Sequence, residues 1–143
     1  MTMTIRRFRG GVTAARVARQ AVREEFKDAL PSRRLADVEL LVSELATNSI
    51  RHAGATEADE LSMEADVEAD RVRVRLFDPG VGFEAHTPAP PSNGGSGGYG
   101  LVLLDRLSDR WGVQREGAFS VWFEVQRDRL PFGDDRSPRA RTA

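Results

Sequence analysis

An α/β fold is predicted by three observations. Two long stretches repeat apolar residues every three to four positions, as helices do. Two later stretches alternate apolar and polar residues around short connections, as hairpins do. A further short helical stretch lies between those hairpins, so the order reads strand, helix, helix, hairpin, helix, hairpin. With 143 residues, the chain is long enough for one domain with a single core. Its 40% hydrophobic and 30% charged content is that of an ordinary soluble globular protein. A net charge of −1 gives no bulk attraction to nucleic acid or membrane. Without cysteine there is no disulfide framework, thiol nucleophile or cysteine-bound zinc, which is compatible with a cytoplasmic protein. No stretch approaches the ~20 apolar residues of a membrane span, and Met1 to Gly10 lacks the apolar run of a secretory signal.

Each element has its own signal. Thr4 to Phe8 fits a short edge strand. From Val12 to Phe26, the residues Val12, Ala15, Val17, Ala18, Val22 and Phe26 trace a helical stripe opposite arginines. Pro31-Ser32 breaks the chain, and Ser32 or a neighbour would cap the next helix. That helix runs to His52 and ends at Gly54, with Leu35, Val38, Leu41, Val42 and Leu45 as its apolar stripe. Leu61, Met63, Ala65 and Val67 alternate in one strand; Val72, Val74 and Leu76 alternate with Arg71, Arg73 and Arg75 in the next. The arginines fit the wet outer face of an antiparallel sheet, and a phosphate-binding ladder is the sharper alternative. Thr87 to Gly100 is rich in proline and glycine and reads as a mobile loop opening a helix from Leu101 to Leu107. Asp109 to Glu116 and Ala118 to Arg127 form a closing hairpin in which Trp111 and Trp122 are packing or surface aromatics. Residues 1–127 are the folded domain, and the polar, aperiodic 128–143 is a disordered tail.

Three local patterns carry chemistry. Glu44 and Asn48 are four apart on the central helix, about 40° from each other on a helical wheel and at the edge of its apolar stripe. Alone, that spacing also describes a solvated helix face. Asp78-Pro79-Gly80-Val81-Gly82 follows directly from a strand. Gly98, Gly100 and Leu101 open a helix, where glycine-rich backbone and the positive dipole end suit phosphate. His52 shares the stripe of its helix and fits a hydrogen-bonded core-edge role, and His86 falls among loop residues.

In this order and on these elements, the three patterns resemble the N, G1 and G2 boxes of the ATP-binding domain found in gyrase-type enzymes, heat-shock chaperones, histidine kinases and MutL. Within that superfamily the chain is most similar to the small bacterial anti-sigma-factor serine kinases and their actinobacterial ATP-binding relatives. Leu41 to Ala53 carries the likeness, together with Leu107-Ser108-Asp109-Arg110-Trp111-Gly112-Val113 and Val121-Trp122-Phe123-Glu124. The resemblance extends over Phe8 to Val125. It implies a two-layer α/β sandwich, with helices on one face of a mixed, mostly antiparallel sheet and ATP between the helix layer and the glycine loop.

The resemblance also implies residue roles. Asn48 would coordinate Mg²⁺ through its amide oxygen, a ligand type that this hard cation prefers. Asp78 would accept from the adenine amino group, and Gly80 and Gly82 would admit the base without a side-chain clash. Gly98, Gly100 and Leu101 would bring helix N–H groups to the phosphates. Ser120 stands where the family has a threonine that reaches adenine through water. Arg51 is either a phosphate contact or solvated helix charge. Glu44 would be the general base toward a substrate hydroxyl. The expected activity is that of a Mg²⁺/ATP-dependent anti-sigma factor that phosphorylates a small antagonist protein on serine. Its partners would be that antagonist, a sigma factor and, by family habit, a second copy of the chain. A nucleotide-binding module that switches partners without phosphorylating them is the alternative. A nucleic-acid binder using the arginines would instead show a steep salt dependence.

Overall fold

The chain lays its strands into one sheet and stacks its helices on one side of it. The computed structural model describes residues 2–53, 56, 58–77, 97–114, 119–127 and 141–142. In chain order these form β1 (Thr2–Arg9), α1 (Ala14–Phe26), α2 (Ser32–Ala53), β2 (Glu60–Val67), β3 (Arg71–Phe77), α3 (Gly97–Leu107), β4 (Arg110–Gln114), β5 (Ser120–Gln126) and β6 (Arg141–Thr142). Across the sheet the order is β1-β2-β3-β5-β4-β6, antiparallel throughout except between β4 and β6. The anticipated α/β architecture and both hairpins are present, and the pairing of β3 with β5 places β5 inside the sheet.

The helical stripes meet the sheet in one core. Ala14, Ala18, Ala21, Val22 and Phe26 are buried on α1, and Val38, Leu41, Val42, Leu45 and Ala46 on α2. They pack on Leu61, Met63 and Ala65, Val72, Val74 and Leu76, and Phe123 and Val125. Register stacks these inner residues across strands, with Ala65 opposite Val74 and Val74 opposite Phe123. Each of the larger of these side chains, the valines, leucines, methionine and phenylalanines, contributes roughly 1.5–3 kcal/mol by leaving water. One expectation is corrected at the start of α1. Gly11 turns the chain at φ 94°, the helix begins at Ala14, and Val12 is left 91% exposed ahead of it. At α2, the Pro31 carbonyl accepts from the Leu35 N–H at 2.9 Å, so Pro31 holds the cap position and Ser32 is already helical.

The face without helices is polar but tightly paired. Glu124 is 7% exposed and gathers Arg71 at 3.3 Å, Arg110 at 3.6 Å and Arg73 at 3.7 Å. The Arg73 guanidinium also lies 4.9 Å from the centroid of the buried Trp122 ring. Arg75 faces Glu64 at 3.9 Å and donates to Gln114 and to Ser120. The arginine alternation of β3 is thus half-buried and answered by carboxylates within the sheet, rather than simply wet.

Two boundaries differ from the sequence reading. α3 starts at Gly97, about a turn before Leu101, so the glycines lie inside its first turn. Within the segment read as a tail, Arg141–Thr142 pairs parallel with Trp111 and Gly112 of β4. A two-residue strand has no periodicity to read, because its pairing is a matter of backbone alone. Residues 128–140 and 143 lie outside the described residues.

Candidate functional site

α2 holds its polar edge firmly because the adjoining stripe is buried. Val38, Leu41, Val42, Leu45 and Ala46 are each at most 6% exposed. Glu44 is half-buried and makes no hydrogen bond or ion pair with any described residue. Asn48 stands one turn on, about 6 Å along the axis. Its amide Oδ1 is buried, with no hydrogen-bond partner among the described residues. Neighbouring polar groups are engaged: the Thr47 hydroxyl donates to the Ser43 carbonyl at 2.8 Å, and the Ser43 hydroxyl accepts from Arg19 at 2.9 Å. An unmet buried acceptor costs about 1–3 kcal/mol, so such an oxygen on a rigid helix marks a place that a ligand would complete.

The other predicted residues are only partly within the described residues. In sequence, six residues separate the end of α2 at Ala53 from the start of β2 at Glu60, at one rim of the sheet. On that rim, Ser62 and Ser120 flank Phe77, the last residue of β3, on either side. Asp78 follows Phe77 in sequence; Asp78, Gly80 and Gly82 lie outside the described residues, as does His86. Gly98, Gly100 and Leu101 belong to the opening of α3, which packs on α2. The first four N–H groups of a helix have no acceptor within it, and here they belong to residues 97–100. Arg51 and His52 fall within the last turns of α2, and their side chains lie outside the described residues. Ser120 is fully buried, but on the alternation that faces away from the helices, and its hydroxyl accepts from Arg75 at 3.4 Å. The structure therefore packs α3 on the helix that carries Glu44 and Asn48, and turns the Ser120 hydroxyl to the opposite face of the sheet.

A buried arginine escaped the sequence reading. Arg34, 9% exposed, donates to Asp37 at 3.1 Å, to the Leu107 carbonyl at 3.4 Å and to Asp109 at 2.9 Å. Asp109 also accepts from the backbone N–H of Gln126 at 2.8 Å. The available signal was electrostatic. Arg34 sits in the first turn of α2, which holds no acid, where a cation opposes the helix dipole and needs another reason to be there.

The profile of the histidine kinase-like ATPase domain matches residues 9–122. The chain belongs to the histidine kinase-like ATPase domain family. Among curated relatives of this ATPase-family chain, it is 34% identical over 86 residues to the serine-protein kinase RsbW of Listeria innocua, covering 52% of this chain and 55% of that protein. It is 31% identical over 98 residues to the serine-protein kinase RsbW of Bacillus licheniformis, covering 61% of each. The chain thus spans between half and two thirds of the length of these relatives. The crystal structure of the RsbU and RsbW domains of a Mycobacterium tuberculosis protein superposes with a TM-score of 0.66 at 17% identity, over 100% of this chain and 34% of that one. That likeness shows the shared fold of the ATPase domain.

Proposed function

We propose that this ATPase-family domain binds Mg²⁺/ATP and transfers phosphate to a serine of a small partner protein. The observation that carries the proposal is the presence, one turn apart on α2, of the half-buried carboxylate Glu44 and the buried amide oxygen Asn48 Oδ1, neither with a hydrogen-bond partner among the described residues. The donor chemistry fits the metal. Mg²⁺ prefers oxygen ligands and takes only one or two from the protein, and among the described residues no cluster of three His, Asp or Glu side chains competes for it. Asn48 would hold the ion, which when bound neutralises phosphate charge.

The residues of the chain then divide the work. Glu44 accepts the proton of the incoming serine hydroxyl. The backbone N–H groups at Gly98, Gly100 and Leu101 hold the phosphates, with Arg51 as a further cation. Asp78 takes the adenine amino group, and Gly80 and Gly82 let the backbone approach the base. Ser120 supports this rim through the bond it accepts from Arg75 on the face away from the helices, which removes the water-mediated adenine contact that the resemblance implied for it. Similarity to serine-protein kinases supports the transfer reaction, and the anti-sigma resemblance supplies the partners: a sigma factor and its antagonist, met in the cytoplasm, with a second copy of the chain as the family habit. Among the described residues no helix is long and apolar enough to cross a membrane.

The test is a capture from native lysate with Mg²⁺/ATP, comparing wild type with Glu44→Ala by mass spectrometry. A small partner phosphorylated on serine only with wild type is the expected result, with transfer by Glu44→Ala reduced at least about a hundredfold. Equal partner binding without phosphate on either would replace the kinase with an ATP-dependent binding switch.

A further inference from the structure

The Arg34 cluster joins elements far apart in sequence. Its guanidinium meets the last residue of α3 through the Leu107 carbonyl and the first residues of the β4 region through Asp109. Asp109 in turn ties to the end of β5, through Gln126 N–H and through its own N–H to the Glu124 carbonyl at 2.9 Å. A cation is unfavourable at the start of α2 and favourable at the end of α3, where carbonyls lack helix partners. Arg34 therefore serves α3 more than the helix that carries it. The Ser108 hydroxyl closes the same corner by donating to the Leu104 carbonyl.

That corner fixes a lever. α2 begins at the Arg34–Asp109 corner and α3 ends there, and the two helices pack on each other across the sheet. α3 has 11 residues, a rise of about 16 Å. Glu44 lies ten residues beyond Arg34 on α2, a rise of about 15 Å. With α3 anchored at its C-terminal end and packed on α2, its length is enough to carry its first turn as far along α2 as Glu44. A small change of angle at Leu107 becomes a displacement of several ångströms at Gly97, because the rigid helix carries it over its whole length.

We propose that Arg34 is a positioning residue: through Leu107 and Asp109 it sets the angle of α3 on α2, and so the distance between the first turn of α3 and the Glu44–Asn48 edge. Arg34 acts through α3 and not on the reacting groups, since its guanidinium is taken up by Asp37, Leu107 and Asp109. The proposal rests on the ATP-binding reading and deepens it by assigning the residue that holds the phosphate-facing turn in register.

The test compares ATP and adenosine affinities by calorimetry for wild type, Arg34→Met, Arg34→Lys and Asp109→Asn, with thermal unfolding of each. Loosening the anchor weakens ATP about tenfold in Arg34→Met while leaving adenosine within about twofold, because misplacement acts at the phosphate end. Asp109→Asn keeps an acceptor for Gln126 N–H and gives a smaller loss of the same kind. Arg34→Lys keeps the charge but loses the fork that reaches both partners, and falls between wild type and Arg34→Met. ATP and adenosine weakened alike, or an ATP-to-adenosine ratio unchanged in all three variants, would overturn the positioning role while leaving the ATP reading intact. Failure of Arg34→Met and Asp109→Asn alike to fold would also overturn it, by making the cluster a purely structural tie. Wild type that binds no ATP overturns the ATP reading itself, and with it the proposal.

Discussion

The two faces of the sheet use the same kinds of polar residue in opposite ways. On the face without helices, Glu124 sits among Arg71, Arg73 and Arg110, and Arg75 reaches Glu64, Gln114 and Ser120, so most charges are answered by the fold itself, with Asp66 Oδ1 and Arg73 Nε left without a hydrogen-bond partner among the described residues. On the helix side, Glu44 has no described partner and Asn48 Oδ1 is buried without one. The difference separates structural from functional polarity. A satisfied network specifies packing and gains nothing by meeting a ligand. An unsatisfied acceptor on a helix held by Leu41, Leu45 and Ala46 costs stability until something completes it, and a rigid scaffold keeps it available.

Substitutions on the two faces should therefore pull apart stability and binding. Glu124→Gln breaks the centre of the arginine cluster and should destabilise the fold by roughly 2 kcal/mol, read as a denaturant midpoint, with ATP affinity unchanged. Parallel losses of stability and ATP affinity would mean that the two faces are not independent. Asn48→Ala should do the reverse. It removes an orphan acceptor and adds a better helix former, so stability holds or rises by up to about 1 kcal/mol. ATP affinity in Mg²⁺ should meanwhile fall about tenfold and lose its response to the metal, in keeping with the loss of one oxygen ligand. A normal Mg²⁺ titration by this variant would remove Asn48 from the site.

The smallest effect tests a third kind of polar contact, where β1 meets α1. Glu25 accepts from Arg6 at 2.8 Å and Thr4 at 2.9 Å, and the Arg6 bond above all holds its carboxyl below the ordinary value of 4.5. A folded pKa beneath the unfolded one adds stability that is full above the unfolded value and is lost as pH falls through the folded one. Because Arg6 is well exposed, wild type should exceed Glu25→Gln by at most about 1 kcal/mol near neutrality. That gap should close below pH 4.5. A gap that persists in acid would assign the stabilisation to packing instead of charge.

The parts of the fold legible beforehand were those with local causes. The α2 stripe and the alternation in Val72, Val74 and Leu76 are periodic; the alternation is buried as read, and the stripe is buried at Val38, Leu41, Val42 and Leu45 with Leu35 only partly so. The start of α1 was misplaced because Val12 fits the helical period yet lies in the turn that follows Gly11, ahead of the helix, and periodicity does not register a backbone turn. The start of α3 was set too late because Gly98 and Gly100 are poor helix formers by propensity, which packing on α2 overrides. For the site, Glu44 and Asn48 were legible from spacing and resemblance. Ser120 was placed by resemblance alone, and its facing could not be known without the strand register that turns it toward Arg75.

Sequence by itself determined the helices, the two hairpins and the joint presence of Glu44 and Asn48 on one helix edge, because each depends on neighbours within a few residues. Tertiary structure alone decided that β5 lies between β3 and β4, that Asn48 Oδ1 is buried without a hydrogen-bond partner among the described residues, and that Arg34 meets Asp109 across 75 positions. Those outcomes depend on which surfaces exclude water from one another. A burial made by distant segments leaves no period in any one of them.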